Sequence, residues 1–303
     1  MSGGDAASLR RRATAVGVFA IVLWATMAPL TALTRGIPPF ETLAVTFATA
    51  FVGSTAVLAL RGRRTLARLR QPARVWLLGF FGIFGYHALY FFALKAAPIA
   101  EASLVNNLWP LLIVLFSAPV TGDPLRRRHL AGALLGLAGT AVIVLQRADT
   151  GGTAPLAGYT AALGCAFVWS GYSVLNRRIA EVPSDVIGVV CGMAALAGLG
   201  VHLVAERWSA PTASQWTALA AMGAGPAGLA FFAWDHGTKR GILPLLGALA
   251  YVSPLLSTLA LVLMGRAAAS LSLAAAAALV VGGAAVAALP WRGGAGATLP
   301  SPP

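Results

Sequence analysis

Apolar residues come in runs of about twenty along this chain, each closed by a short polar or basic stretch. Runs near 14–34, 40–60, 75–95, 101–119 and 130–146 are followed by others near 156–176, 185–205, 215–235, 242–263 and 270–289. A spanning helix needs about 20 mostly apolar residues, so the pattern predicts ten spans in an all-α integral membrane protein. They are helices because hydrocarbon offers backbone polar groups no partner outside the helix itself. A barrel would alternate apolar and polar positions in strands of about ten residues, and LSLAAAAALVVGGAAVAAL (271–289) does not alternate.

Composition agrees with that reading. The AVILMFWYC set makes up 58% of the chain and charged residues 10%, against about 25% charged in soluble proteins. Too few polar side chains exist to coat a soluble protein of this size. Basic residues set the orientation. With the N-terminus in the cytoplasm, 17 of the 22 Lys and Arg residues fall in cytoplasmic segments, from Arg10–Arg12 to Arg292. This is the positive-inside pattern, and it predicts that both termini are cytoplasmic. It also accounts for the net charge of +13 through insertion topology and anionic lipids rather than nucleic acid. Cys165 and Cys191 fall inside spans and read as small apolar fillers. The tail at 290–303 is Gly/Pro-rich and reads as disordered.

A search for internal similarity returns one offset, 144–145 residues. ALKAAPIAEASLVNNLWPLL (93–112) aligns with GTKRGILPLLGALAYVSPLL (237–256), and LWATMAPLT (23–31) with VWSGYSVLN (168–176). The alignment pairs Lys95 with Lys239, Pro110 with Pro254 and Trp24 with Trp169. Residues 1–13 are then a cytoplasmic tail, 14–146 a first five-helix repeat, and 156–289 a second. An odd number of spans per repeat inverts the second half. Inverted repeats are the architecture of alternating-access transporters, whose site lies at the midplane between the halves.

These two halves, the Trp-rich first helix of each, and YFFALKAAPIAEASLVNNLWPLLIVLFS (90–117) resemble the EamA-type drug/metabolite transporters. EASLVNNLWPLLIVLFS (101–117), WDHGTKRG (234–241) and LGALAYVSPLLSTLAL (246–261) are similar to members that export aromatic amino acids. The resemblance implies efflux of aromatic and other neutral amino acids across the bacterial inner membrane. It also implies a basket of helices with the fifth and tenth peripheral, in a monomer or in a homodimer that uses them as its contact.

Polar groups inside spans are costly and usually face a cavity or one another. On the third span, Tyr86, His87 and Tyr90 share a broad face near the middle. A lone histidine is as often a hydrogen-bonded packing group, but two neighbouring tyrosines favour cavity lining. On the fourth, Asn106 and Trp109 precede Pro110, which has no N–H to offer the Asn106 carbonyl. The sixth carries Trp169, Tyr172, Ser173 and Asn176 at i, i+3, i+4 and i+7, a face unlike either a lipid-facing or a plain packing surface. Trp24 is its repeat mate on the first span, and Tyr251 with Pro254 repeats the proline break on the ninth. Trp76 and Trp234 lie nearer span ends and read as interface anchors.

No span carries a carboxylate near its middle, and Asp235 and Lys239 read as an i, i+4 pair at the cytoplasmic surface. A facilitative carrier or exchanger is therefore expected, with His87 the one proton-sensitive group near the centre. Aromatic rings, a histidine and asparagines suit a small, flat, partly apolar substrate with hydrogen-bonding ends. Export of another metabolite or a cationic drug is the alternative. A membrane enzyme would need a metal or acid–base cluster, and the nine acidic residues are scattered. No catalytic group, metal or cofactor is expected.

Overall fold

The computed structural model describes residues 3–62, 66–97, 99–121, 125–145, 156–265 and 269–288. Helix occupies each stretch that the apolar pattern picks out, and no strand occurs among the described residues. We label the stretches α1 (Gly4–Leu33), α2 (Pro39–Leu60), α3 (Ala73–Ala96), α7 (Val186–Ala205), α8 (Ala213–Arg240) and α9 (Leu243–Leu263), all six long and apolar enough to cross a membrane. Between and after them lie α4 (Ile99–Asn106, resuming as Trp109–Thr121), α5 (Arg127–Leu145), α6 (Leu156–Leu175) and α10 (Leu271–Ala288). Helix reaches back to Gly3, so most of the segment read as an N-terminal tail continues α1. The tail at 290–303 lies outside the described residues.

The helices pack in a regular pattern. α2 lies against α7, α5 against α10, and α4 against α9; α1 packs on α8 as α3 packs on α6. Glycines permit the closest of these approaches. A Cβ on Gly132 would stand 2.6 Å from the Gly283 carbonyl oxygen, and one on Gly237 2.6 Å from the Gly17 Cα. Gly188 and Gly192 likewise meet Ser54 and Phe51 of α2. Small residues let helix backbones touch where hydrocarbon supplies no hydrophobic drive.

Four stretches are interrupted. α3 passes through a π turn at Phe81–Gly85, and α8 through another at Gly225–Leu229. α4 breaks at Asn107–Leu108 just before Pro110, and α9 at Ala250–Tyr251 just before Pro254. In addition, α1 is pinched at Thr26, because Pro29 cannot donate to the Ala25 carbonyl. Ser257 of α9 donates to that carbonyl instead, at 2.7 Å.

The glycine contacts yield a direct test. Gly237→Val should lower the apparent melting temperature in detergent by several degrees, since overpacking costs about 1–3 kcal/mol. Gly53→Ala, where nothing lies within 4 Å, should leave it unchanged. Equal melting of both variants would contradict the close α1–α8 approach.

Candidate functional site

The interrupted helices converge on a cluster of aromatic rings. Trp24 of α1, Trp109 of α4, Trp169 of α6 and Trp234 of α8 all touch one another, with ring centroids 5.1–6.4 Å apart. Phe231 joins Trp24 at 5.9 Å and Trp169 at 5.7 Å. Most of these contacts are edge-to-face or tilted, the arrangement the ring quadrupoles favour. Tyr86 meets Trp169 at 5.5 Å and stacks on Tyr90 at 5.9 Å, carrying the cluster along α3. His87 lies against Phe47 at 5.2 Å and Phe231 at 6.2 Å.

Burial divides this cluster into a floor and a less buried set. Trp169 and Trp234 are buried, whereas Trp24, Trp109, Tyr86, His87 and Tyr90 are half-buried.

Backbone geometry holds the rings in place. The Trp24 indole donates to the Pro226 carbonyl of the α8 π turn at 3.1 Å. The His87 Nδ1 lies 2.7 Å from the Ile83 carbonyl of the α3 π turn. A carbonyl has no hydrogen to give, so Nδ1 donates and Nε2 is left as an acceptor. The Asn106 amide donates to the Tyr86 hydroxyl at 3.2 Å, and its Oδ1 is buried with no partner. Gly82 in the α3 π turn sits directly against the Tyr172 ring.

Two sequence expectations change here. Trp234 is no interface anchor: it is fully buried in the tryptophan cluster, and its indole donates to Ser173 at 3.0 Å. Asp235 and Lys239 do pair, at 2.9–3.0 Å, but both are buried rather than at a surface. Asn176 donates to Asp235 at 2.9 Å, Ser184 also donates to it, and Lys239 donates to the Val182 carbonyl at 2.9 Å. Arg177 reaches the Gly241 carbonyl at 2.7 Å, and Thr14 accepts from the Ile242 N–H at 2.9 Å. This network lies at the end of the bundle that carries the arginines, next to Trp234.

The sixth-helix stripe therefore divides. Trp169 and Ser173 face the rings, Asn176 serves the charged network, and Tyr172 stands between them. Its hydroxyl has no partner and borders a void of about 10 Å³ shared with Asn176 and Asp235. Tyr251 lies apart, packed on Gly136 with Val114, Ala133, Ala248 and Ala287. Pro110 is buried in the α4–α9 contact and Pro254 is half-buried. Trp76 stays near its helix start, donating to the Gln71 carbonyl.

At the opposite end, Glu41 is fully buried and accepts from the Ser209 N–H and hydroxyl, both at 2.9 Å. Glu206 accepts from the N–H groups of Phe40 and Glu41 at the start of α2 and lies 3.0 Å from His202. An acidic group at a helix N-terminus is favourably placed. Neither glutamate stands out from the sequence pattern. Both cysteines are buried and free, and no cluster of metal-ligating residues occurs among the described residues.

Comparison with known proteins places this architecture. Residues 12–145 match the model of the EamA-like transporter family. The aromatic amino acid exporter YddG of Ancylobacter novellus is 53% identical over 248 residues, which cover 80% of this chain and 85% of that protein. The chain belongs to the EamA-like transporter family. The exporters of the same name in Escherichia coli and Salmonella typhimurium are 29% and 26% identical, over 57% and 80% of this chain and 61% and 84% of theirs. A solved crystal structure at 50% identity superimposes with a TM-score of 0.88, covering 92% of this chain and 97% of that one. The chain is thus a multi-pass membrane transporter, and its relatives are transporters rather than enzymes.

The buried pair in this transporter should behave as one unit. Asp235→Asn and Lys239→Met should each cost about 3–5 kcal/mol, because each leaves a buried charge unpaired. The double variant should cost less than the sum, read as thermal stability in detergent. Additive losses would mean that the two charges act independently.

Proposed function

We propose that this transporter exports aromatic and other neutral amino acids by alternating access across the bacterial inner membrane, without drawing on the proton gradient. The observation that carries the reading is the tryptophan cluster at the point where the interrupted helices meet. Its rings come from α1 and α4 on one side and from α6 and α8 on the other. The substrate ring stacks on Trp24, Trp109, Trp169 and Trp234. Its polar end lies toward Tyr86, Tyr90, the His87 Nε2 acceptor and the unpartnered Asn106 Oδ1. Aromatic faces also attract an ammonium group, by about 0.5–2 kcal/mol each.

Several observations support ten spans in two inverted repeats. The π turns start at Phe81 and Gly225, separated by the 144 residues found as the sequence offset. The breaks before Pro110 and Pro254 recur at nearly the same spacing. Repeat mates also meet: α2 with α7, α4 with α9 and α5 with α10. Trp24 touches its mate Trp169 at 5.6 Å, and His87 its mate Phe231 at 6.2 Å. A two-fold axis between the halves would produce these pairings. Under the positive-inside orientation, the end closed by the Asp235–Lys239 network is cytoplasmic. Opening it is then the step that admits substrate.

The charges support an uncoupled mechanism. Asp235 is neutralised by Lys239 below the rings, and no other carboxylate among the described residues lies beside them. A carboxylate relay would need such a group.

Reconstitution in liposomes tests the reading. Saturable phenylalanine or tryptophan flux is expected, with a rate indifferent to a protonophore. Trp24→Leu should lower aromatic flux about tenfold, given about 0.5–1.5 kcal/mol per aromatic pair and more than one pair lost, while the protein stays folded. Flux of another metabolite with none of aromatic amino acids would sink the substrate assignment, and protonophore-sensitive flux the uncoupled mechanism.

A further inference from the structure

The surface between α1 and α8 has a basic head and an apolar body. A groove of about 550 Å³ is lined by Leu9, Arg10, Arg12, Ala13 and Val16 of α1 and by His236 and Arg240 of α8. Arg12 and Arg240 are exposed, and Arg240 donates to His236 Nδ1 at 3.1 Å. From this head the exposed stripe continues along α1 through Val16 and Phe19. Along α8 it continues through half-buried Phe232 to exposed Leu229. Arg12 to Phe19 spans about 10 Å at 1.5 Å per residue, so along α1 charge gives way to hydrocarbon-like surface within two helical turns.

We propose that this groove is a binding site for an anionic phospholipid, its phosphate held by Arg12 and Arg240 and its acyl chains laid along Val16, Phe19, Phe232 and Leu229. Insertion topology alone asks only that basic residues lie in the right loops. Here they project from two helices into one cavity whose floor is apolar. A soluble anion would match the head and leave the stripe unused, whereas a phospholipid matches both.

The position gives the lipid something to act on. α8 also carries Trp234, Asp235 and Lys239, and α1 carries Trp24, so both helices reach the ring cluster and the charged lock. They touch at Gly17 and Gly237. A lipid straddling the groove braces this pair.

The test uses the full chain purified in detergent and stripped of lipid. Phosphatidylglycerol, phosphatidylcholine and inorganic phosphate are added separately, and thermal unfolding and native mass spectrometry are recorded. Phosphatidylglycerol should raise the melting temperature and remain bound, phosphatidylcholine should do so weakly, and phosphate should do neither. Arg12→Gln with Arg240→Gln should weaken phosphatidylglycerol binding at least about tenfold. Arg74→Gln, at the same end of the bundle but outside the groove, should not. Equal effects of the two lipids would overturn the proposal. So would a phosphate effect matching that of the lipid, or full retention of binding in the double variant.

Discussion

A helix interrupted inside a bilayer leaves backbone carbonyls that only other parts of the protein can satisfy, and this transporter's centre is organised around that requirement. Pro29 releases the Ala25 carbonyl, and Ser257 takes it from α9. The π turn of α8 presents the Pro226 carbonyl, which receives the Trp24 indole from α1. The π turn of α3 presents the Ile83 carbonyl, which fixes the His87 ring. Two of the three groups that satisfy the breaks, Trp24 and His87, thus also belong to the cluster. π turns occur often at functional sites, and here they aim aromatic side chains at one another.

Charge is handled by the same economy. Each end of the bundle buries acidic groups and gives them donors: Asp235 has Lys239, Asn176 and Ser184, while Glu41 has the Ser209 N–H and hydroxyl. Burying an ionic pair yields little net stability, but breaking one is expensive. Such a network makes its end of the bundle well defined without adding much net stability. Between the two ends lie the rings, which carry no charge.

The helices, the stripe on α6 and the proline breaks were legible in the sequence, because they depend on hydropathy and on local backbone chemistry. Trp234 was not. Asp235 and Lys239 read as the end of a span, which placed Trp234 at an interface. Because the two charges neutralise each other inside the protein, α8 runs on to Arg240 and carries Trp234 inward. The repeat held a clue, since Trp234 lies 144 residues after Tyr90, and Phe231 lies 144 after His87. Glu41 was missed because its donors come from residues around 209, a contact that no local pattern announces. Tyr251 read as a lining group from its proline neighbour, but the close approach of Gly136 draws its ring into the α4–α5–α9–α10 contact.

The central claim is that the substrate's ring sits among tryptophans contributed by both sides of the bundle. A structure determined with bound tryptophan or phenylalanine tests it most directly. The account predicts the ligand's ring in contact with Trp24, Trp109 and the floor formed by Trp169 and Trp234, with its polar end toward His87 and Asn106. A ligand bound beside Tyr251, or elsewhere with the four indoles still packed on one another, would contradict it.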